Sequence, residues 1–254
     1  KAIKLDQNYV EAFFSASISL QSLGRYEDMV EYLERVLVLK SNFSEGYNNL
    51  GIAFKEIGLY SKAISAYQKA LEIKPDYFEA LNNLGNAYKN NNELEKAIES
   101  YQKALSISPD YPTLHNNLGN ALKEFGEVER AIQCFRQAIE INPEFPDSHN
   151  NLGDAFRELN QFDDAVESYE KAINLDPNYF EAFNNLGTAY KDLDKLDEAV
   201  SSYEKALKIN PAFSDSYNNL GNVLKKLGKL DEALECYEKG IAINPYDVDI
   251  HNNL

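Results

Sequence analysis

The sequence contains no tryptophan, one methionine, two cysteines and three histidines in 254 residues. Two cysteines, Cys134 and Cys236, cannot frame a disulfide scaffold or a zinc ribbon. Three histidines without a cysteine pair at ligand spacing offer no metal site, and neither a metal nor another cofactor is expected. No apolar run reaches the length of about eighteen residues that a membrane span needs. Basic residues are few as well: 25 Lys and Arg face 41 Asp and Glu, a formal net charge of −16. A nucleic-acid surface needs the opposite balance, because Lys and Arg neutralise phosphates. The same balance excludes an anionic membrane surface as partner. Hydrophobic residues make up 44%, enough for a core, so the chain is not read as disordered. No signal peptide is visible and the thiols read as reduced, which points to a cytoplasmic setting. The chain opens on Lys1 without Met and is read as a piece of a longer one.

What is present is a period. Asn-Asn-Leu occurs at 48–50, 82–84, 116–118, 150–152, 184–186, 218–220 and 252–254, always 34 residues apart. With this Leu as the seventh residue, seven complete units follow: 10–43, 44–77, 78–111, 112–145, 146–179, 180–213 and 214–247. Residues 1–9 read as the tail of an earlier unit and 248–254 as the start of another, so 1–254 is expected to form a single array. Gly follows that Leu in six units, Gly51 to Gly221. Ala stands at position 20 (Ala63 to Ala233), an aromatic ring at position 24 (Tyr67 to Tyr237) and Pro at position 32 (Pro75 to Pro245). Position 27 is Ala in five units and Gly240 in the last. The first unit departs, with Ser17, Met29, Val36 and Ser41 at positions 8, 20, 27 and 32, and different packing is expected there.

The pattern resembles the tetratricopeptide repeat family, and the resemblance covers the whole chain. It implies an all-α, right-handed solenoid, a superhelix of antiparallel helix pairs whose first helices line the concave side. The residues themselves give the two helices. At 100° per residue, positions 4, 7, 8, 10, 11 and 14 share one arc, which in the second unit is Tyr47, Leu50, Gly51, Ala53, Phe54 and Ile57. Position 15 is Gly, Asn or Asp throughout, residues that accept the positive φ of a helix-ending turn. Position 18 is Ser or acidic, which suits the start of the second helix, and Pro at position 32 stops it. Small residues at 8, 20 and 27 let the helices approach, and the ring at 24 fills the space beside them. The aromatic that ends units one to six is read as packing on the next unit; Asp247 breaks that series. One unit cannot hide its apolar face alone, whereas stacked units can.

The polar arc of the first helix carries the functional signal. Positions 5 and 6 are both Asn in six units: Asn48 and Asn49, Asn82 and Asn83, Asn116 and Asn117, Asn150 and Asn151, Asn184 and Asn185, Asn218 and Asn219. Asn in a helix is worse than Ala by about 0.5–0.7 kcal/mol, a summed cost of roughly 6–8 kcal/mol. Either each side chain bonds to a neighbouring repeat, or it is kept for a ligand. A carboxamide offers both acceptor and donor, the complement of a peptide unit. The position-6 ladder is similar to that in the superhelix of O-GlcNAc transferases, and this resemblance implies a grip on substrate polypeptides. Tetratricopeptide domains that clamp a C-terminal carboxylate carry basic residues at positions 2, 5 and 6. Here these are acids, Thr113 and asparagines, so that clamp is not assembled.

Position 12 is basic in Lys55, Lys89, Lys123, Arg157, Lys191 and Lys225, opposite acids at position 2. This reads either as complementation of the helix dipole or as a groove with one acidic and one basic edge. Position 9 varies (Ile52, Asn86, Asn120, Asp154, Thr188, Asn222), and variation on a regular frame is where selectivity could reside. Asp154 with Glu158 would favour a basic residue of the ligand. His115, His149 and His251 share position 4 with Phe13, Tyr47, Phe183 and Tyr217 and are read as packing residues. Cys134 and Cys236 share position 23, three units apart, and are read as small buried thiols that cannot bridge. No nucleophile–base–orienter set recurs, so no catalysis is expected in this segment. The leading reading is a protein–protein interaction scaffold that holds an extended peptide segment through the asparagine ladder. The alternatives are the substrate-recognition arm of a larger enzyme, such as a glycosyltransferase similar to O-GlcNAc transferase, and a self-associating architectural scaffold.

Overall fold

Each repeat has two apolar stripes to hide, and the chain supplies helices in strict alternation to hide them. A computed structural model describes residues 10–253. The reading of 1–9 as the tail of an earlier repeat, and Leu254, lie outside the described residues. The described residues hold fifteen α-helices and no strand. The first helices of the repeats are α1 (Val10–Ser22), α3 (Ser44–Glu56), α5 (Phe78–Asn90), α7 (Pro112–Glu124), α9 (Pro146–Glu158), α11 (Phe180–Asp192) and α13 (Ser214–Lys226). The second helices are α2 (Tyr26–Leu39), α4 (Tyr60–Ile73), α6 (Leu94–Ile107), α8 (Val128–Ile141), α10 (Phe162–Leu175), α12 (Leu196–Ile209) and α14 (Leu230–Ile243). A last helix, α15 (Val248–Asn253), opens a further repeat. The chain divides into two units between Glu127 and Val128, inside repeat 112–145. In each unit the two helices of a repeat pack as an antiparallel pair, and the second helix packs on the first helix of the next repeat. This is a tetratricopeptide-type helical solenoid. Successive first helices also touch one another (α3 on α5, α5 on α7, α9 on α11, α11 on α13), which makes them one continuous layer within a unit.

The turn inside each repeat follows from position 15. All seven residues there have positive φ: Gly24, Gly58, Asn92, Gly126, Asn160, Asp194 and Gly228, between 59° and 90°. The backbone then closes a Schellman pair of bonds, as when Gly58 N–H donates to Lys55 O at 3.0 Å and Leu59 N–H to Phe54 O at 2.8 Å. The second helices begin one residue earlier than position 18, with no side-chain N-cap on α2, α4, α6, α10, α12 or α14. Position-18 acids therefore sit in the first helical turn and act on the dipole rather than as caps. At the other end, Lys74 before Pro75 is extended (φ −133°, ψ 89°), as a residue preceding proline must be. Lys40 precedes Ser41 instead and is extended all the same (φ −140°, ψ 82°), so packing stops α2 without proline. Asp247, which breaks the aromatic series, caps α15: its Oδ1 accepts from Asp249 N–H at 3.0 Å and Ile250 N–H at 3.1 Å.

The core repeats with the sequence. Ala63, Tyr67 and Ala70 are fully buried, as are Ala97, Tyr101 and Ala104, and Ala199, Tyr203 and Ala206. The ring lies flat on the position-8 glycine. A Cβ on Gly51 would stand 2.5 Å from Tyr67 Cε1, and one on Gly85 2.6 Å from Tyr101 Cε1. Repeat 10–43 inverts this exchange of volume: Ser17 replaces the glycine, Leu33 replaces the ring, and Met29 and Val36 replace the alanines, all four fully buried. Ser17 hides its hydroxyl by donating to Phe14 O at 2.6 Å. The aromatics at position 34, expected to pack on the next unit, make their ring contacts with position 1 of their own repeat, Tyr111 edge-on against Phe78 at 5.4 Å and Phe213 against Phe180 at 5.1 Å; Phe43 also lies against Gly46 of the next repeat.

Candidate functional site

The polar arc of the first helices is organised by the paired asparagines. Position 6 of one repeat donates to position 5 of the repeat before it. Asn83 Nδ2 reaches Asn48 Oδ1 at 3.0 Å, Asn117 reaches Asn82 at 2.8 Å, Asn185 reaches Asn150 at 3.1 Å, Asn219 reaches Asn184 at 3.1 Å and Asn253 reaches Asn218 at 2.8 Å. Asn48, Asn116, Asn150 and Asn184 at position 5 are buried, whereas Asn49, Asn83, Asn117, Asn151, Asn185 and Asn219 at position 6 are half-buried. Of the two uses open to these residues, bonding between repeats is therefore made. It does not exhaust them. A carboxamide has two N–H groups and an acceptor oxygen, and Asn83, Asn117 and Asn219 each commit one N–H. Asn49 commits neither, because position 5 of the preceding repeat is Phe14.

Position 9 has a structural duty the sequence reading missed. The buried tyrosine at position 24 donates its hydroxyl to it: Tyr101 to Asn86 Oδ1 at 2.7 Å, Tyr169 to Asp154 Oδ1 at 2.7 Å and Tyr237 to Asn222 Oδ1 at 2.9 Å, with Tyr203 and Thr188 paired at 3.1 Å. Asp154 also accepts from Asn185 at 3.2 Å. Burial holds each of these phenols above the ordinary tyrosine range, Tyr203 at about 12. Repeat 44–77 is the exception. Position 9 is Ile52, and the Tyr67 hydroxyl is buried without a partner. The signal was present in the sequence as a polar residue at 9 wherever these tyrosines stand at 24, with Ile52 as the odd member. Asn120, also at position 9, is half-buried.

Position 12 is partly spent between repeats. Lys89 pairs with Glu124 at 2.9 Å and Arg157 with Asp192 at 3.7 Å, each reaching position 13 of the next repeat. Lys191 meets Lys226 at that register, and Lys226 pairs with Asp194 at 2.6 Å instead. Lys123 is half-buried like Lys89 and Lys191. Of the three histidines read as packing residues, His149 is buried, His115 half-buried and His251 exposed. Each Nε2 bonds to the carbonyl of the preceding position-32 proline: His115 to Pro109 at 2.8 Å, His149 to Pro143 at 3.1 Å and His251 to Pro245 at 3.0 Å. Burial holds His149 below the usual imidazole range. Both cysteines are free, Cys236 buried and Cys134 half-buried, and burial pushes the Cys134 thiol up to about 11, opposed by Arg130. No helix among the described residues is long and apolar enough to cross a membrane.

The family model described as TPR repeat matches residues 54–92, 90–126, 119–156, 153–194 and 187–228, and that described as tetratricopeptide repeat matches 214–247. No curated protein matches the sequence. Among solved structures, this chain is similar to MamA, with 31% identity over 64% of this chain and 95% of that one, and a TM-score of 0.58. It is similar to YrrB, described as a TPR protein with an unusual peptide-binding site, with 26% identity over 74% of this chain and 97% of that one, and a TM-score of 0.56. A chain of the APC/C hetero-tetramer Cut9–Hcn1 shares the fold, with a TM-score of 0.76 and 16% identity over 99% of this chain. This chain spans 50% of the length of that one. The chain belongs to the tetratricopeptide repeat family and has the architecture of a protein-interaction scaffold.

Proposed function

We propose that the first-helix layer of each unit holds an extended segment of a partner protein, gripped at its backbone by the uncommitted half of the position-6 carboxamides. The observation that carries this reading is the economy of the ladder. Asn83, Asn117 and Asn219 each use one N–H to join two repeats and keep one N–H and one oxygen on a half-exposed face. That remainder is one donor and one acceptor, the complement of a peptide unit. Lys191, with no acid opposite it, and the amide groups of Asn86, Asn120 and Asn222 flank the ladder and adjust selectivity. Each ladder bond is worth about 0.5–1.5 kcal/mol net, and ordering a floppy peptide offsets much of the sum. Micromolar affinity is the expectation. The likeness to YrrB, whose description names a peptide-binding site, supports the same class of ligand.

The test is selection from a random peptide display library with three proteins. The first is the wild type. The second changes position-6 residues Asn83, Asn117, Asn151 and Asn185 to Ala. The third changes Asn48, Asn82 and Asn150 to Ala, which breaks the inter-repeat bonds of Asn83, Asn117 and Asn185 and leaves position 6 intact. With helical spectra unchanged, enrichment by the first and third but not the second supports the clamp. Equal enrichment by all three assigns the asparagines to repeat packing alone and removes this reading.

A further inference from the structure

The opposite arc of the first helix borders a slot that recurs in register. Its floor is positions 4, 7 and 11 of the first helix, and its walls come from the second helix. In repeat 180–213 the floor is Phe183, Leu186 and Tyr190, with Glu170 and Glu198 among the walls and a volume of about 370 Å³. In repeat 214–247 it is Tyr217, Leu220 and Leu224, walled by Glu204, Glu232 and Glu235, at about 360 Å³. Repeat 44–77 has the largest of the three, about 440 Å³ over Tyr47, Leu50 and Phe54. No acid lines it. Position 19, which is Glu198 and Glu232 in the other two slots, is Lys62 here.

The other two slots also hold a lysine at position 26, Lys205 over Phe183 and Lys239, but there acids stand beside it; what sets this slot apart is that its cations have no acid among the lining residues. Lys62 Nζ lies 5.5 Å over the Phe54 ring and makes no ion pair, so its charge stands at the rim over an apolar floor. Lys69, the other cation, pairs with Glu72 at 2.6 Å, but both side chains are more than half exposed, and such a pair exchanges readily. Position 29 of the preceding second helix, which lines the other slots as Asn174 and Lys208, is Val38 here and is 77% exposed. An exposed branched apolar residue thus stands in register with an apolar floor and two cations, on a chain of net charge −16.

We propose that this slot docks a short acidic segment of a partner protein. One aromatic or branched apolar side chain seats on Tyr47, Leu50 and Phe54, and flanking carboxylates meet Lys62 and Lys69. The net charge of −16 disfavours such a segment over the chain as a whole, and the local charge selects this slot over its two acid-walled counterparts; Lys96, the basic residue at position 19 of the next repeat, is paired with Glu93. The site is separate from the asparagine ladder, which lies on the other arc of the same helices.

The test is fluorescence anisotropy of a fluorescein-labelled pentapeptide, phenylalanine between two pairs of aspartates, titrated with the full chain at low salt. Peptides with alanine for phenylalanine, or lysines for the aspartates, are the controls. The wild type is expected to bind the first peptide saturably and neither control. Lys62→Glu installs the residue its counterparts already carry, so the fold is kept, and it weakens binding about tenfold. Asn83→Ala with Asn117→Ala leaves binding unchanged, which separates this site from the ladder whether or not the ladder binds peptide. No saturable binding by the wild type up to about 1 mM, equal binding by Lys62→Glu, or loss in the asparagine variant would overturn the proposal.

Discussion

Repeats 44–77 and 78–111 are adjacent and share one frame, yet they treat the same buried phenol differently. Tyr67 lies on Gly51 and Tyr101 on Gly85, both rings fully buried. Tyr101 gives its hydroxyl to Asn86 at 2.7 Å, whereas Tyr67 faces Ile52 and keeps its proton unshared. Leaving a buried hydroxyl unsatisfied costs about 1–3 kcal/mol, while making the bond gains about 1 kcal/mol net. The comparison separates two roles that one residue type combines. The ring against glycine sets how closely two helices approach. The hydroxyl only tests whether position 9 supplies an acceptor.

The largest expected effect concerns what the two repeats share. Gly51→Ala and Gly85→Ala each put a Cβ within 3 Å of ring carbons and should cost about 2 kcal/mol, the overpacking exceeding the gain in helix propensity. Urea denaturation should give the same loss for both; a clear inequality would break the idea of a common frame. Next comes what they do not share. Tyr101→Phe should cost about 1 kcal/mol, and Tyr67→Phe should be neutral or stabilising by up to about 1 kcal/mol. Ile52→Asn sharpens the contrast, because it supplies Tyr67 with the acceptor that Tyr101 already has. A double-mutant cycle of Ile52→Asn with Tyr67→Phe should show a coupling of about 1 kcal/mol, and a coupling near zero would mean that position 9 does not serve the phenol.

The smallest expected effect is pH-dependent and compares repeats at position 4. Burial lowers the folded pKa of His149 below its unfolded value near 6.5. As pH falls, the unfolded chain takes up the proton first. The stabilising effect of neutral His149 is therefore complete above about pH 6.5 and declines as pH drops through the folded pKa. His149→Phe, the residue that Phe183 places in the same slot, should remove that part of the acid slope in thermal melts. An unchanged slope would show that His149 is not buried in its neutral form.

Much of this was legible because the sequence repeats its own evidence. Glycine, asparagine or aspartate at position 15 announced the positive φ found at all seven turns, and the small residues at 8, 20 and 27 announced the ring that they admit. Two features were not legible, for a physical reason: they are bonds between residues whose alternatives are equally polar. Position 9 looked like free variation because Asn, Asp and Thr are all acceptors for one hydroxyl. The position-12 cations looked like dipole partners or a groove edge. Lys89 and Arg157 do stand in the last turns of their helices, and Lys89–Glu124 and Arg157–Asp192 are in addition ties from one repeat to the next, a geometry that no single repeat contains. The histidines were assigned to packing, and their bonds to proline carbonyls show only when the preceding linker is folded back beside them.

The central claim is that one set of carboxamides joins repeats and another half of the same groups serves a ligand. Side-chain 15N–1H2 spectra of the asparagines, with and without a peptide enriched by display selection, test it most directly. The expectation is that Asn83, Asn117 and Asn219 at position 6 shift and gain exchange protection, while Asn48, Asn82 and Asn184 at position 5 stay in place. Uniform shifts at both positions, or none at position 6 while the peptide is bound, would contradict it.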